Sequence, residues 1–187
     1  MADQEQDLGS IYTIGHSNRT LEEFLKLLQH YEIGVLFDVR TVPRSRHVPH
    51  FNSDALRQAL QEEGIEYRHH KGLGGLRKPV KDSLNLGWRN AGFRGFADYM
   101  QTSEFLTSLQ SLIQAADNRK VAIMCAEAVP WRCHRSLIAD ALVIRNIEVR
   151  HIISEADPLA HELTPFALTQ GERIVYPQAK ATPSLFD

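Results

Sequence analysis

Five short apolar segments alternate with amphipathic segments along most of this chain, and this alternation constrains the fold more than any other feature. The apolar segments, which predict strands, are residues 11–14, 35–39, 65–69, 120–124 and 148–153. After the first segment, Thr20 and Glu23 form a capping box that predicts the start of a helix. Strands that alternate with helices build parallel sheets. The sequence therefore predicts an α/β fold: a single doubly wound domain, Rossmann-like or flavodoxin-like, with a mostly parallel five-stranded sheet.

The size and composition of the chain fit one globular domain. Its 187 residues are 43% apolar and 24% charged, so the chain can bury a substantial core. We expect the domain over residues 11–177, with flexible tails at 1–10 and 178–187. No apolar run approaches the roughly 20 residues that span a bilayer, and the acidic N-terminus is unlike a signal peptide. Two cysteines without a signal peptide are typical of a reducing compartment. A cytoplasmic protein without membrane contact is expected.

The segment from Cys125 to Arg135 carries the densest group of reactive side chains. It holds two thiols, a carboxylate, an imidazole and two guanidiniums. It follows the fourth predicted strand and precedes a predicted helix, and open α/β sheets bind ligands at such junctions. We therefore predict chemistry or tight anion binding in this segment.

Polar and often cationic side chains follow the predicted strands, whose ends meet at one edge of a parallel sheet. The net charge of the whole chain is -2, so attraction to an anion must come from local clusters of Arg and His. Glu127 and Asp38 are predicted as acid–base groups, with a salt-bridge network between loops as the alternative. The candidate catalytic residues are Glu127, Asp38, Cys125, Cys133 and His16. The candidate substrate-binding residues are Asn18, Arg19, Arg40, Arg44, Arg46, Arg132, His134 and Arg135.

The two cysteines allow several interpretations. Cys133 precedes a helix and adjoins His134, which favours a thiolate, but both cysteines could equally be small buried hydrophobes. Six residues separate Cys125 from Arg132 and Pro130 lacks an amide, so the loop departs from the phosphatase pattern. Zinc could bind through Cys125, Cys133, His134 or His16. However, the spacing is unusual for zinc ligands and neighbouring side chains on a helix diverge, so no metal site is predicted.

Two further segments could take part in ligand binding. Residues 72–78 are Gly-rich and basic, and they could form a lid over an anionic ligand or a plain surface loop. Trp88 and Phe93 lie beside arginines, as in segments that stack bases. Aromatic residues beside the start of a helix are more commonly anchors of the core.

Several blocks of this sequence resemble the signature blocks of the "domain of unknown function 488" family. The blocks are residues 13–19, 38–46, 73–75, 93–100, 125–135 and 161–166. The resemblance covers roughly Ile11 to Pro177 and implies a single α/β domain in a bacterial cytoplasmic protein. It implies no established activity. The recurring residues of the family correspond to His16, Asn18, Arg19, Asp38, Arg40, Arg44, Arg46, Cys125, Glu127, Cys133, His134 and Arg135.

Two classes of function follow from these patterns. The first is an enzyme, expected to be a hydrolase or transferase, that acts on a phosphate-bearing or nucleotide-like substrate. The second is a non-catalytic binder of nucleotide or nucleic acid linked to DNA metabolism. A pocket with a strongly perturbed titrating group favours the enzyme, whereas an open basic strip with Trp88 and Phe93 exposed favours the binder. At the C-terminus, Leu185 and Phe186 weakly resemble peptides that dock on bacterial DNA sliding clamps, although Thr182 replaces their leading Gln.

Overall fold

A computed structural model describes residues 9–178 of the chain. The predicted domain of residues 11–177 falls within this range. Most of the two predicted tails, including Leu185 and Phe186, lies outside the described residues.

Strands and helices alternate in the order that the apolar pattern predicts. The strands are β1 (Ile11–Gly15), β2 (Val35–Asp38), β3 (Glu66–His69), β4 (Val121–Cys125), β5 (Val149–Ile152), β6 (Leu159–Ala160), β7 (Leu168–Gln170) and β8 (Arg173–Val175). The helices are α1 (Leu21–His30), α2 (Ser53–Glu62), α3 (Ala91–Tyr99), α4 (Ser103–Ala116) and α5 (Arg135–Val143). The predicted capping box is confirmed, because the Thr20 hydroxyl accepts from the Glu23 amide and the Glu23 carboxylate accepts from the Thr20 amide.

The main sheet has the strand order β3-β2-β4-β1-β5-β6. The five predicted strands pair in parallel, which confirms the predicted doubly wound α/β fold. The sheet also has a sixth strand, β6, which pairs antiparallel with β5 at the edge. β7 and β8 form a separate hairpin. Five parallel strands bring the ends of β1, β2 and β4 to the same edge of the sheet.

Helices cover both faces of the sheet because successive strand residues point to opposite faces. On one face, Leu36 and Met124 pack with the apolar stripes of α1 and α2. On the other face, Phe37 and Ile123 pack with α3, α4 and α5. Within residues 9–178, no helix combines the length and the apolar character needed to cross a bilayer.

Candidate functional site

A pocket of about 420 Å³ opens at the carboxyl edge of the sheet. Gly15 at the end of β1 lies beside Cys125 at the end of β4, and Asp38 at the end of β2 lies beside Met124. The loops that leave these strands form the pocket walls, together with residues 75–76 and the start of α3. The reactive side chains that line it are those of His16, Arg40, Arg44, Cys125, Glu127, Arg132, Cys133 and His134.

Two thiols and an imidazole form a compact cluster on one wall of this pocket. The Sγ atoms of Cys125 and Cys133 and a ring nitrogen of His134 all lie within 4.8 Å of one another. The Sγ atom of Cys133 is 3.6 Å from Nδ1 of His134 and accepts a hydrogen bond of 3.4 Å from Nε of Arg135. We call Cys125, Cys133 and His134 the thiol–imidazole cluster.

Backbone carbonyls fix the orientation of the His134 ring. Its Nε2 lies 3.0 Å from the Leu73 carbonyl oxygen and 3.2 Å from that of Val39. Because both partners are acceptors, Nε2 carries the proton and donates it. Gly75 packs against the other side of the ring, where an added Cβ would lie 2.4 Å from Nδ1. The ring is therefore held with Nδ1 towards the two thiols.

The pKa values of the two thiols in the cluster are shifted in opposite directions. A hydrogen bond from Cys125 lowers the pKa of Cys133 well below its usual value against the opposing effect of burial, and His134 and Arg135 lower it further. The same hydrogen bond raises the pKa of Cys125 well above its usual value, and burial adds to the increase. Both shifts favour a thiolate at Cys133 over one at Cys125, and low-pKa thiols are the reactive ones in proteins.

Asp38, which the sequence predicts as an acid–base group, is completely buried and does not line the pocket. Its Oδ1 accepts from the backbone amide and Nε of Arg40, and its Oδ2 accepts from Nη2 of Arg40 and the hydroxyl of Tyr67. Four donors occupy the carboxylate, so it has no free lone pair facing a substrate. The alternative interpretation, an ion pair that holds loops together, fits this geometry.

His16 lines the pocket as a buried ring between β1 and the Phe51 side chain. It stacks on Phe51 with ring centroids 4.4 Å apart, and its Nδ1 lies 2.9 Å from the Ser17 carbonyl oxygen, so Nδ1 donates. Its Nε2 then accepts from Nη1 of Arg40 at 3.3 Å. Burial lowers the pKa of His16 to about 4, with a further contribution from Arg40. The ring is neutral at pH 7.

The predicted arginines divide into structural and exposed groups. Arg40 and Arg135 are buried, and their guanidiniums are used within the protein. Arg44 and Arg132 are exposed and line the pocket. The exposed Arg46 is not part of its lining.

Asn18 and Arg19 lie outside the pocket, in a second hollow beside α1. The Arg19 guanidinium donates to the carbonyl oxygens of Gly15 and Ile153, so it ties β1 to the loop after β5. The structure therefore gives both residues a place apart from the thiol–imidazole cluster.

Two polar pocket residues, Thr41 and Asn90, were not among the predicted site residues. Thr41 accepts from the Leu76 amide through Oγ1, which joins the Gly-rich segment to the loop after β2. Asn90 caps α3 by accepting from the Gly92 and Phe93 amides, and it also faces the pocket. An Asn before an apolar helix is a capping signal that the sequence offers. No sequence signal identifies Thr41, because its partner lies 35 positions away.

A family model described as "Domain of unknown function DUF488" matches residues 20–142, which is well over half of the chain. The chain belongs to the DUF488 family. The matched region of this DUF488 protein includes Asp38, Arg40 and the whole thiol–imidazole cluster, whereas His16 precedes it. No curated protein and no solved structure matches the chain.

Proposed function

We propose that this protein is an enzyme, a hydrolase or transferase, that acts on a phosphate-bearing or nucleotide-like anion bound in the pocket at the carboxyl edge of the sheet. The observation that carries the proposal is the juxtaposition of the thiol–imidazole cluster with two exposed arginines on the walls of one pocket. The arginines would hold the anionic group, and the cluster would face the part of the substrate that reacts.

The surroundings of Arg135 support an anionic sulfur in the cluster. The residue is 1% exposed, and a buried guanidinium requires a counter-charge. Within residues 9–178 it forms no ion pair with a carboxylate. Its side chain instead contacts the Cys133 sulfur and the Glu127 carbonyl oxygen. A Cys133 thiolate supplies the missing negative charge.

Arg44 and Arg132 supply the anion-binding part of the proposal. Both are exposed at the pocket, and neither forms a salt bridge within the described part of the chain. Planar guanidiniums bind phosphate oxygens through paired hydrogen bonds.

Glu127 is the acid–base candidate that remains after Asp38 is assigned to the ion pair. Its carboxylate is exposed and belongs to the pocket lining. Arg135 holds the backbone of Glu127 through its carbonyl oxygen. The side chain can therefore reach a bound substrate while its backbone stays fixed.

The surroundings of Trp88 and Phe93 favour an enzyme over the alternative, a binder of nucleic acid. Their rings pack together at 4.8 Å between centroids, and Trp88 also contacts Phe166 and Tyr176. Both side chains are half-buried, as expected of core anchors. A sequence-tolerant binder of single strands needs exposed rings for stacking.

Two free cysteines whose sulfurs lie within 4.8 Å of each other also fit a reducing compartment. We place the protein in the cytoplasm of a bacterium, as the family resemblance implies.

Replacing Arg44 or Arg132 with Ala is expected to weaken binding of phosphate or a nucleotide by about 1.5–3 kcal/mol, because each variant loses a charged hydrogen bond. Isothermal titration calorimetry with inorganic phosphate and with nucleotides measures the change. Arg173→Ala is the matched control, since Arg173 is exposed on β8 and lies outside this pocket. Absence of phosphate and nucleotide binding by the wild-type protein would refute the proposal.

Cys133 is only 4% exposed but lines the pocket, so a reagent must reach it from there. Where iodoacetamide reaches this sulfur in metal-free protein at pH 7, it is expected to alkylate Cys133 faster than a free thiol, because Cys125, His134 and Arg135 stabilise its thiolate. Mass-spectrometric mapping of the labelled peptides measures the rate. Cys125 is the internal control and should react more slowly, since its pKa is raised. Labelling of Cys133 only after denaturation would make this cysteine structural.

A further inference from the structure

The thiol–imidazole cluster contains the donor atoms of a known type of metal centre. We infer that Cys125, Cys133 and His134 bind zinc(II) through two sulfurs and one ring nitrogen, with a fourth coordination position that opens into the pocket. This inference goes beyond the proposed function, because it stands on the geometry of the donor atoms and does not depend on the substrate.

The distances between the donor atoms fit tetrahedral coordination. Zinc lies about 2.3 Å from a sulfur ligand and about 2.0–2.1 Å from a nitrogen ligand. In a tetrahedral site, a sulfur donor and a nitrogen donor are therefore about 3.5–3.6 Å apart. The separation of Cys133 Sγ from His134 Nδ1 is 3.6 Å. All three donors lie within 4.8 Å of one another, so small side-chain shifts suffice to close the site around an ion.

The orientation of His134 is that of a metal ligand with its supporting shell in place. A ligating histidine commonly donates its other N–H to a carbonyl or carboxylate, which fixes the tautomer and the ring. Nε2 of His134 donates to the carbonyl oxygens of Val39 and Leu73. Its Nδ1 lone pair is thereby aimed at the two sulfurs.

The local backbone explains how adjacent residues can both serve as ligands. Side chains of neighbouring residues diverge on a helix, but Cys133 is extended, with φ of -135° and ψ of 146°, and precedes α5. The turn over Pro130–Arg132 brings Cys133 back to the end of β4, where Cys125 lies. The loop between the two cysteines is therefore closed before a metal binds.

The fourth position would be accessible to water or to a ligand. All three donor residues line the pocket, and catalytic zinc sites combine three protein ligands, including sets of two Cys and one His, with an open position. His16 does not complete the set, because its Nε2 is engaged by Arg40. The metal site itself does not depend on the proposed function. Only the idea that the anionic substrate binds at the open coordination position rests on it.

Metal titration of the reduced, chelator-treated full-length protein tests the inference. We expect one equivalent of Zn²⁺ by calorimetry, and with Co²⁺ as the probe we expect the absorption of a tetrahedral thiolate complex. Cys125→Ser, Cys133→Ser and His134→Gln should each weaken Zn²⁺ binding by more than the roughly 10–100-fold that loss of a supporting partner costs. His30→Gln, which changes an exposed histidine on α1, is the matched control and should bind like the wild type.

A second measurement keeps the inference testable if a variant fails to fold. Zn²⁺ added to the wild-type protein should slow the alkylation of Cys133 and Cys125, because a metal-bound thiolate is protected. Absence of stoichiometric Zn²⁺ and Co²⁺ binding by the folded wild-type protein would overturn the inference. Phosphate and nucleotide titration of metal-free protein is a separate experiment, so failure of the metal site and failure of anion binding are distinguishable.

Discussion

Asp38→Ala is expected to lower the free energy of unfolding by about 3–5 kcal/mol, the cost of leaving a buried charge without its partner. Asp38 is fully buried, and its only cationic partner in the described part of the chain is Arg40, which is 6% exposed. The substitution also leaves the Tyr67 hydroxyl without its acceptor. Urea unfolding followed by circular dichroism measures the change.

The matched control for this prediction is Asp157→Ala, which removes an exposed carboxylate from a loop and should change the unfolding free energy by no more than about 0.5 kcal/mol. The double variant Asp38→Ala with Arg40→Leu should recover part of the lost stability, because it removes the orphaned cation. Equal stability of Asp38→Ala and the wild type would contradict the assignment of Asp38 to a structural ion pair.

The main architecture could be predicted from the sequence because the apolar pattern carries it. Each of β1 to β5 is a short apolar or alternating run, and buried parallel strands need such runs. The edge strand β6 could not be predicted, since Leu159 and Ala160 are both exposed and the strand has two residues. The β7–β8 hairpin is similarly short, and β7 is exposed throughout.

The location of the candidate site could also be predicted from the sequence. Which of its arginines are buried and which are exposed at the pocket could not. Parallel strands place their carboxyl ends at one edge of the sheet. This pairing alone brings Cys125 and His16 close together, independently of the loop conformations. Arg40 and Arg44 are the same residue type four positions apart, yet one is buried and the other is exposed. The difference depends on Asp38 and the Phe51 carbonyl, which hold Arg40 inside.

The arrangement of the thiol–imidazole cluster could not be predicted from the sequence either. Ligand spacing in the sequence predicted no metal site, because Cys133 and His134 are adjacent. Their donor atoms converge for two reasons, one in the local backbone and one in long-range hydrogen bonds. Cys133 is extended, and His134 is anchored by carbonyls of residues 39 and 73. Long-range hydrogen bonds of this kind leave no pattern in a single sequence.

A second buried network explains why acid should unfold the protein. Nε2 of His161 donates to Asp140, Nδ1 of His161 accepts from Nε2 of His151, and Nδ1 of His151 accepts from the hydroxyl of Thr13. Burial, together with the nearby His161 and Arg135, lowers the pKa of His151 to about 4. Protonation of His151 would put a proton on Nδ1, which could then no longer accept the hydrogen bond from the Thr13 hydroxyl.

The unfolding free energy is expected to fall as pH decreases from about 6.5 towards 4. His16 and His151 each have a folded-state pKa of about 4, below the value of about 6.5 in an unfolded chain. The unfolded state therefore binds more protons in this window, and stability present above pH 6.5 is lost on acidification. The loss amounts to about 3 kcal/mol for each histidine at pH 4.

Denaturant unfolding at half-unit pH intervals between 7 and 4.5 measures this slope before most carboxylates titrate. His151→Gln and His16→Gln should each flatten the profile, because each removes one group that gains a proton on unfolding. His47→Gln is the control, since His47 is exposed on the loop after β2 and its replacement should leave the slope unchanged. A flat wild-type profile would show that both rings take up protons in the folded protein, and it would exclude a neutral His16 hydrogen-bonded to Arg40 at the pocket wall.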